Sequence, residues 1–291
     1  MIMIQVSGLT KRFKNGKGIF NVSFDVGGGE VLGFIGPNGA GKSTTIRHLM
    51  GFLKPDSGNA RIAGYHCWLE SEQVKSKTAY LPGEIVFPAG MSASDFLNFQ
   101  LGIRKIDDKS KMKNLIDRFH LNIEIPIIRM SKGMKQKLAI VSTFMGSSEV
   151  ILLDEPSTGL DPLMQKELIA LCREEKGRGA TILLSSHIFA EIENIADTVC
   201  FIKNGKIIEY EKFSEIHKKL KPVLLVTLHD GNDTDKLHVP FTVLPDKKIG
   251  IKIDHNENEI IRQLSKCDVE NIDVKKITLD DIFEKYYEEE S

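Results

Sequence analysis

Residues 36–43 fit the phosphate-binding loop pattern G-x-x-x-x-G-K-[ST] in full. They follow the apolar run Val31–Ile35, which predicts a buried strand. They precede a helical pattern in which Ile46, Leu49 and Met50 share one face. A strand, a glycine-rich loop and a helix in this order form the context that the pattern needs. The alternative, a glycine-rich turn that matches by accident, does not account for this context.

The chemistry of the loop follows from its residue types. Glycines allow successive backbone N–H groups to turn inward around phosphate oxygens, and the start of the helix adds partial positive charge. We expect Lys42 to reach the β- and γ-phosphates of a nucleotide and the Ser43 hydroxyl to ligate Mg²⁺. The candidate nucleotide-binding residues here are Gly36, Pro37, Asn38, Gly39, Ala40, Gly41, Lys42, Ser43 and Thr44.

A second motif supplies carboxylates. The apolar residues 150–153 predict a buried strand, and Asp154 and Glu155 follow directly. Because ligands bind at the carboxyl ends of strands in parallel α/β sheets, both carboxylates are expected near the nucleotide. Asp154 is a candidate ligand of Mg²⁺, and Glu155 is a candidate to orient or deprotonate the attacking water. Taken alone, the same residues would indicate a solvated acidic turn.

Between these motifs, Ser131-Lys132-Gly133 precedes a run of good helix formers. Ser131 is expected to cap that helix, whose first N–H groups and positive dipole end favour an anion. By itself this segment would indicate an ordinary helix cap.

Together the motifs resemble the nucleotide-binding subunit of ATP-binding cassette (ABC) transporters over roughly residues 1–215. The matching segments are residues 36–43 (Walker A), 151–154 followed by Glu155 (Walker B), 130–134 (the signature), 157–161 (the D-loop), His187 (the H-loop) and Phe13 (the A-loop). The resemblance implies an α/β P-loop NTPase cassette: a RecA-like core with an antiparallel β subdomain and a helical subdomain at about residues 90–146. It also implies ATP and Mg²⁺ as cofactors and a second cassette as partner.

The resemblance assigns roles to individual residues. The catalytic roles of the family fall on Lys42, Glu155 and His187, with His187 at the γ-phosphate. Ser131 and Gly133 of one cassette would face MgATP bound to the other.

Two further positions match the family. Phe13 would stack on adenine, as aromatic rings do with bases, and Asp161 resembles the residue that links the two cassettes. The alternatives are a core phenylalanine at position 13 and a satisfied core histidine at position 187.

The chain departs from the family pattern in two loops. Gly83 stands where the Q-loop usually has glutamine, so this position has no side chain to ligate Mg²⁺; Glu84 or water are candidate substitutes. In the signature, Lys132 and Met134 replace a glycine and a glutamine. These variants resemble the bacterial subgroup that exports drugs, peptides, lipids or ions through separate ABC-2-type membrane subunits.

Composition limits the partners. A formal net charge of −1 over 291 residues offers no electrostatic case for nucleic acid. The four cysteines form no Cys-x-x-Cys pair, so reduced, buried thiols are expected. No apolar run approaches the ~20 residues needed to span a bilayer, and the first residues lack the basic flank of a signal peptide. We therefore expect a cytoplasmic protein, peripheral on the inner face of the membrane, with integral-membrane permease subunits on separate chains.

The chain divides by pattern into a cassette at residues 1–215, a linker at 216–222 and a small α+β domain at 223–291. Asn204-Gly205 between apolar runs predicts the hairpin that ends the cassette. In the small domain, strands are expected at 223–228, 249–253 and 269–274, and helices at 259–264 and 279–287. A dimer-contact or regulatory role and a passive stabilising role remain equally open for it.

Three functions follow from these observations. The first is an ATPase subunit that powers a membrane exporter through a head-to-tail cassette dimer. The second, a soluble ABC ATPase acting on DNA or ribosomes, lacks the coiled coil or tandem cassettes that such proteins carry. The third is a regulatory cassette that gates a partner by ATP-dependent dimerisation, which the missing glutamine at position 83 keeps open.

Overall fold

The computed structural model describes residues 1–219, 221–229, 231–245, 248–254 and 256–275. The strands are β1 (Ile2–Arg12), β2 (Gly18–Gly27), β3 (Val31–Ile35), β4 (Ser57–Ile62), β5 (Tyr65–His66), β6 (Thr78–Leu81), β7 (Val150–Asp154), β8 (Thr181–Ser186), β9 (Thr198–Lys203), β10 (Lys206–Lys212), β11 (Val223–Leu228), β12 (Phe241–Val243), β13 (Lys248–Lys252) and β14 (Val269–Lys275). The helices are α1 (Lys42–Leu49), α2 (Ser71–Lys77), α3 (Ala93–Arg104), α4 (Ser110–Arg118), α5 (Lys132–Phe144), α6 (Pro162–Gly177), α7 (Phe189–Glu193), α8 (Phe213–Lys219) and α9 (Glu257–Leu264).

The chain forms two compact units, Met1–Phe213 and Ser214–Ser291. The first contains a four-stranded antiparallel sheet in the order β2-β1-β4-β5 and a six-stranded sheet in the order β10-β9-β3-β8-β7-β6. In the second sheet only β10 runs antiparallel to its neighbour. This is the predicted α/β cassette, a mostly parallel core with an added antiparallel sheet.

The parallel core explains where the site lies. Strands β3, β7 and β8 are buried at every position, because helices cover both faces of a parallel sheet. Their pairing sets Ile35 opposite Ser186, and Asp154 opposite Ser185. The loops that leave β3, β7 and β8 therefore emerge side by side at one edge of the sheet.

The predicted hairpin is present, and the antiparallel strand β2 alternates between buried and exposed residues. Val22, Phe24 and Val26 are buried on β2, whereas the polar residues between them are exposed. Strands β9 and β10 form the predicted hairpin, with Asn204 at φ 49° and Gly205 at φ 76°. Two adjacent left-handed residues give the turn a twist that matches the twist of its strands.

In the helical region, α3 runs through Gly102, a residue type that often ends a helix, and stops at Arg104. A Cβ added at Gly102 would meet nothing within 4 Å, so packing does not require glycine here. The glycine makes the helix less stable than alanine would by about 1 kcal/mol, because of its low helix propensity. The turn comes instead at Lys105, which has φ 53°. Ser92 starts the helix as a capping box, accepting from the Asp95 N–H.

The second unit has an antiparallel sheet in the order β12-β13-β11-β14, with α9 on its apolar side. The predicted strands and the helix at 259–264 are present as β11, β13, β14 and α9. Strand β12 was not predicted, since its three residues are too few to show an alternating pattern. The predicted helix at 279–287 lies outside the described residues.

The thiols mostly follow the prediction. Cys67, Cys172 and Cys200 are buried, and burial raises the pKa of Cys67 and of Cys172 to about 12. Cys267 is only half-buried, because it lies at the end of α9 rather than within a core strand or helix, so the expectation of a buried thiol is wrong there. In the described part of the chain, no helix combines the length and the apolar character needed to cross a membrane.

Candidate nucleotide-binding site

The phosphate-binding loop joins β3 to α1. Gly39 has φ 82° and Gly41 has φ 116°, left-handed conformations that glycine adopts without steric cost. A Cβ on Gly36 would lie 2.4 Å from the carbonyl oxygen of Ile202, so only glycine fits where the loop leaves the strand. The loop then enters α1 at Lys42, and the free N–H groups of the first turn point to the same edge of the sheet.

Lys42 lies inside this loop and is 5% exposed. Its ammonium donates to the carbonyl oxygens of Gly36 (2.5 Å) and Pro37 (3.2 Å). Its Nζ also lies 3.0 Å from Oε1 of Glu155. The cation is thus held at the centre of the loop, where phosphate oxygens would contact it.

Asp154 and Glu155 lie at the carboxyl end of β7, as the sequence predicted. Asp154 is 2% exposed, and its Oδ1 accepts a hydrogen bond of 2.8 Å from the Ser185 hydroxyl. Glu155 has φ 50°, an uncommon conformation for a residue with a side chain. Its N–H donates to the carbonyl oxygen and the hydroxyl of Ser185, both at 3.1 Å. This turn directs the Glu155 carboxylate toward the phosphate-binding loop.

His187 follows β8 and completes the cluster. Its Nδ1 lies 2.7 Å from Oε2 of Glu155, while Oε1 of the same carboxylate faces Lys42. The imidazole is exposed, so the alternative of a satisfied core histidine is wrong. Two of the predicted catalytic residues, Lys42 and His187, therefore contact the third, Glu155, although the three lie on separate segments.

Lys42 and Glu155 border a cavity of about 140 Å³. Its lining residues are Pro37, Asn38, Gly39, Gly41, Lys42, Ser43, Thr44 and Glu155. Two predicted loop residues do not line it: Gly36 packs against Ile202, and Ala40 is buried with its carbonyl oxygen accepting from the Gly205 N–H. Both residues support the loop outside the cavity lining.

The donor atoms at this edge fit Mg²⁺. The Ser43 hydroxyl and the Asp154 carboxylate offer oxygen ligands, which this cation prefers. A Cβ on Gly83 would lie 3.4 Å from Asp154 Oδ2, so the Q-loop backbone comes directly against that carboxylate. Glu84, the next residue, is exposed.

The remaining predicted residues lie outside the cavity. Phe13 follows β1 and is 37% exposed, so the alternative of a core phenylalanine is wrong. Ser131 caps α5 by accepting from the Met134 N–H at 3.2 Å, as predicted. A Cβ on Gly133 would lie 2.9 Å from the carbonyl oxygen of Gly159, so the signature and the D-loop meet within this chain.

Asp161 has a contact that the sequence analysis did not include. Its carboxylate caps α6, accepting from the N–H groups of Leu163 (3.1 Å) and Met164 (3.0 Å). The hydrogen bond from Met164 is the main reason why the pKa of this carboxyl is lowered. Asp161 therefore fixes the end of the D-loop to a helix.

Sequence analysis missed Ser185, which bonds to both Asp154 and the Glu155 backbone. Its only local signal is a small hydroxyl residue near the carboxyl end of an apolar strand. Its contact with Asp154 and Glu155 follows only from the pairing of β7 with β8.

Comparisons with known proteins agree with this geometry. The sequence model of the family described as ABC transporter matches residues 19–158. The chain is 32% identical to the bacitracin transport ATP-binding protein BcrA of Bacillus licheniformis, over 98% of this chain and 96% of that protein. It is 25% identical to the linearmycin resistance ATP-binding protein LnrL of Bacillus subtilis (strain 168), over 94% and 92% of the two chains.

A solved ATP-binding subunit of an ABC transporter superposes with a TM-score of 0.69 at 31% identity, covering 75% of this chain and 92% of that one. The ATP-binding cassette MJ0796, solved as a dimer in a post-hydrolysis state with ADP and Pi, gives a TM-score of 0.66 at 20% identity and shares the fold. With a relative above 30% identity matched over nearly its full length, and a phosphate-binding loop whose lysine contacts Glu155, the chain belongs to the ABC transporter family, as an ATP-binding subunit.

Proposed function

We propose that this chain hydrolyses MgATP as one of two cassettes arranged head to tail, and that it drives integral-membrane permease subunits on separate chains. It would act as a peripheral protein on the cytoplasmic face of the membrane. The observation that carries this proposal is that Glu155 contacts both Lys42 and His187, at a cavity lined by Lys42, Glu155 and the phosphate-binding loop.

Each residue at the cavity has a distinct role in the proposal. The loop N–H groups and Lys42 bind the phosphates of ATP. Ser43 and Asp154 hold Mg²⁺, which supplies charge neutralisation to the phosphates when bound. Ser185 keeps Asp154 oriented through its 2.8 Å hydrogen bond.

Glu155 accepts a proton from the attacking water and must turn from Lys42 toward that water when phosphate enters. His187 holds the opposite side of the Glu155 carboxylate and is placed to contact the terminal phosphate. The 2.7 Å contact between them keeps the base and the histidine together at the reacting end of the nucleotide.

The second cassette supplies what one chain lacks. Ser131 and Gly133 lie outside the cavity lining, so in this proposal they act on nucleotide held by the other copy. The start of α5 offers N–H groups and a positive dipole end to the phosphates. Asp161 would join the two copies from the end of the D-loop, and the exposed ring of Phe13 would stack on adenine.

We infer that the exported cargo is an antibiotic-like compound, recognised by the permease. Relatives matched over nearly the full length of this chain include the bacitracin transport and linearmycin resistance ATP-binding proteins. The cassette itself contributes no cargo site to this proposal; it supplies the ATP-driven closing and opening of the dimer.

The test is the oligomeric state of the Glu155→Gln variant with MgATP, followed by size-exclusion chromatography with light scattering. We expect a stable dimer with ATP, a monomer with ADP, and a monomer for the same variant carrying Ser131→Arg. A Glu155→Gln protein that binds ATP and stays monomeric would overturn the head-to-tail arrangement.

A second candidate is a regulatory cassette that binds ATP and gates a partner without turnover. Gly83 favours it, since this loop places no side-chain ligand beside Asp154. Steady-state ATPase activity of the purified chain, with and without membranes that contain the permease, separates the two functions. Absence of turnover in both conditions would favour the regulatory cassette.

A further inference from the structure

Glu191 is a buried carboxylate on α7, four residues after His187. It is 8% exposed, and no lysine or arginine of the described residues forms an ion pair with it. Oε2 accepts a hydrogen bond of 2.8 Å from the Ser186 hydroxyl. Burying a carboxylate without a cation costs free energy. Stability alone therefore does not explain why Glu191 occupies this position.

Ser186 transmits this contact to the turn that carries His187. Its side chain is fully buried, and its oxygen also accepts a hydrogen bond of 2.9 Å from the N–H of Ile188. Ser186 and Ile188 are the residues on either side of His187. The hydroxyl that Glu191 holds thus fixes the backbone on both sides of the imidazole.

Glu191 also lies near the other catalytic segment. Oε1 is buried and has no hydrogen-bond partner among the described residues. Glu191 borders a cavity of about 10 Å³ whose wall includes Pro156 and Ser157, the two residues after Glu155.

We propose that Glu191 is a positioning residue for ATP hydrolysis, which sets His187 against Glu155 by holding the Ser186 hydroxyl. The inference rests on the proposed role of His187. Glu191 touches no reacting atom, so its effect is expected in turnover and not in nucleotide affinity.

The experiment compares Glu191→Leu, Glu191→Gln and the control Glu193→Gln, an exposed carboxylate on the same helix. We expect Glu191→Leu to lower kcat at least about 10-fold, since small misplacements of catalytic groups cost up to about 100-fold. ADP affinity should stay within about twofold. Glu191→Gln retains an oxygen that accepts from Ser186, so it should recover most of the kcat, and Glu193→Gln should match the wild type.

A double-mutant cycle with His187→Ala separates positioning from general destabilisation. If Glu191 acts through His187, Glu191→Leu should lower kcat no further in the His187→Ala background. Ser186→Ala, which removes the same hydrogen bonds, should reproduce both results and serves if Glu191→Leu does not fold.

Equal losses with and without His187 would overturn the inference, as would wild-type kcat in both Glu191→Leu and Ser186→Ala. Wild-type kcat in His187→Ala alone would instead contradict the proposed role of His187.

Discussion

Glu155 and Lys42 form an ion pair in which Oε1 lies 3.0 Å from Nζ, both side chains being largely buried. The carboxylate therefore occupies the face of the ammonium that a phosphate oxygen would take. Nucleotide binding must exchange this internal anion for a phosphate, and the exchange frees Glu155 to act on water. The catalytic base therefore competes with phosphate for the Lys42 ammonium.

Removing the charge of Glu155 should therefore strengthen binding of ADP, which is not hydrolysed. In Glu155→Gln the ammonium of Lys42 loses the carboxylate that competes with phosphate for it. We expect ADP affinity to rise several-fold by isothermal titration calorimetry. Glu149→Gln, which breaks an exposed ion pair with Lys77, is the matched control and should leave it unchanged. An unaltered ADP affinity in Glu155→Gln would show that this ion pair does not compete with phosphate.

The same variant should lose turnover. Glutamine keeps the shape of the side chain but cannot accept the proton, and a general base contributes about 10²–10⁴-fold to a rate. The measurement is single-turnover hydrolysis of radiolabelled ATP with enzyme in excess. Wild-type turnover in Glu155→Gln would reassign the base.

Lys42→Ala should weaken MgATP binding. It removes the cation at the centre of the loop and leaves the Glu155 carboxylate facing the phosphates, so the two effects add. From the lost charge-assisted contact we expect the Kd to rise at least about 10-fold. Fluorescent-nucleotide titration checks this, with Lys77→Ala as the control for an exposed lysine in an ion pair. A Kd within about twofold of the wild type would contradict the phosphate-loop assignment.

Gly83 and Glu84 should affect the Mg²⁺ requirement differently. Gly83→Ala would add a Cβ 3.3 Å from the Asp154 carbonyl oxygen and 3.4 Å from Oδ2, which is close enough to displace the loop or the carboxylate slightly. We expect the Mg²⁺ concentration for half-maximal ATPase to rise in Gly83→Ala. It should stay unchanged in Glu84→Ala, whose side chain is exposed. A large Mg²⁺ shift in Glu84→Ala on the isolated protein would instead make Glu84 the substitute metal ligand.

His48 should make the fold sensitive to acid. It is 2% exposed on α1; its Nδ1 lies 2.8 Å from the Thr44 carbonyl oxygen, and Nε2 has no hydrogen-bond partner among the described residues. Burial, the largest effect, lowers its pKa below 6.5. The unfolded chain therefore binds the proton first as pH falls below 6.5, and the free energy of unfolding decreases from there downward.

Urea denaturation at several pH values checks this expectation. His48→Phe should show a shallower decrease between about pH 6.5 and 5, near the reference pKa of histidine and below it. An identical pH dependence in both proteins would assign the acid sensitivity to other groups.

The sequence predicted those parts of the site whose chemistry depends on a local sequence pattern. The loop at residues 36–43, the acidic end of β7 and the cap at Ser131 all follow from residue types at short spacing. Ser185 and Glu191 could not be predicted in this way. Ser185 meets Asp154 only because β7 and β8 pair in parallel, and Glu191 meets Ser186 only because α7 begins three residues after β8 ends. The contact between Glu155 and Lys42 likewise depends on two distant segments that meet at one sheet edge.

The left-handed backbone of Glu155 has a consequence for how this chain tolerates change. A residue with a side chain held at φ 50° costs about 1–3 kcal/mol relative to a relaxed backbone, a cost that glycine would not incur. Selection for folding alone would therefore replace Glu155, and such a replacement would remove the base. Variants enriched only for thermal resistance should accumulate substitutions at this position and lose turnover as they do so.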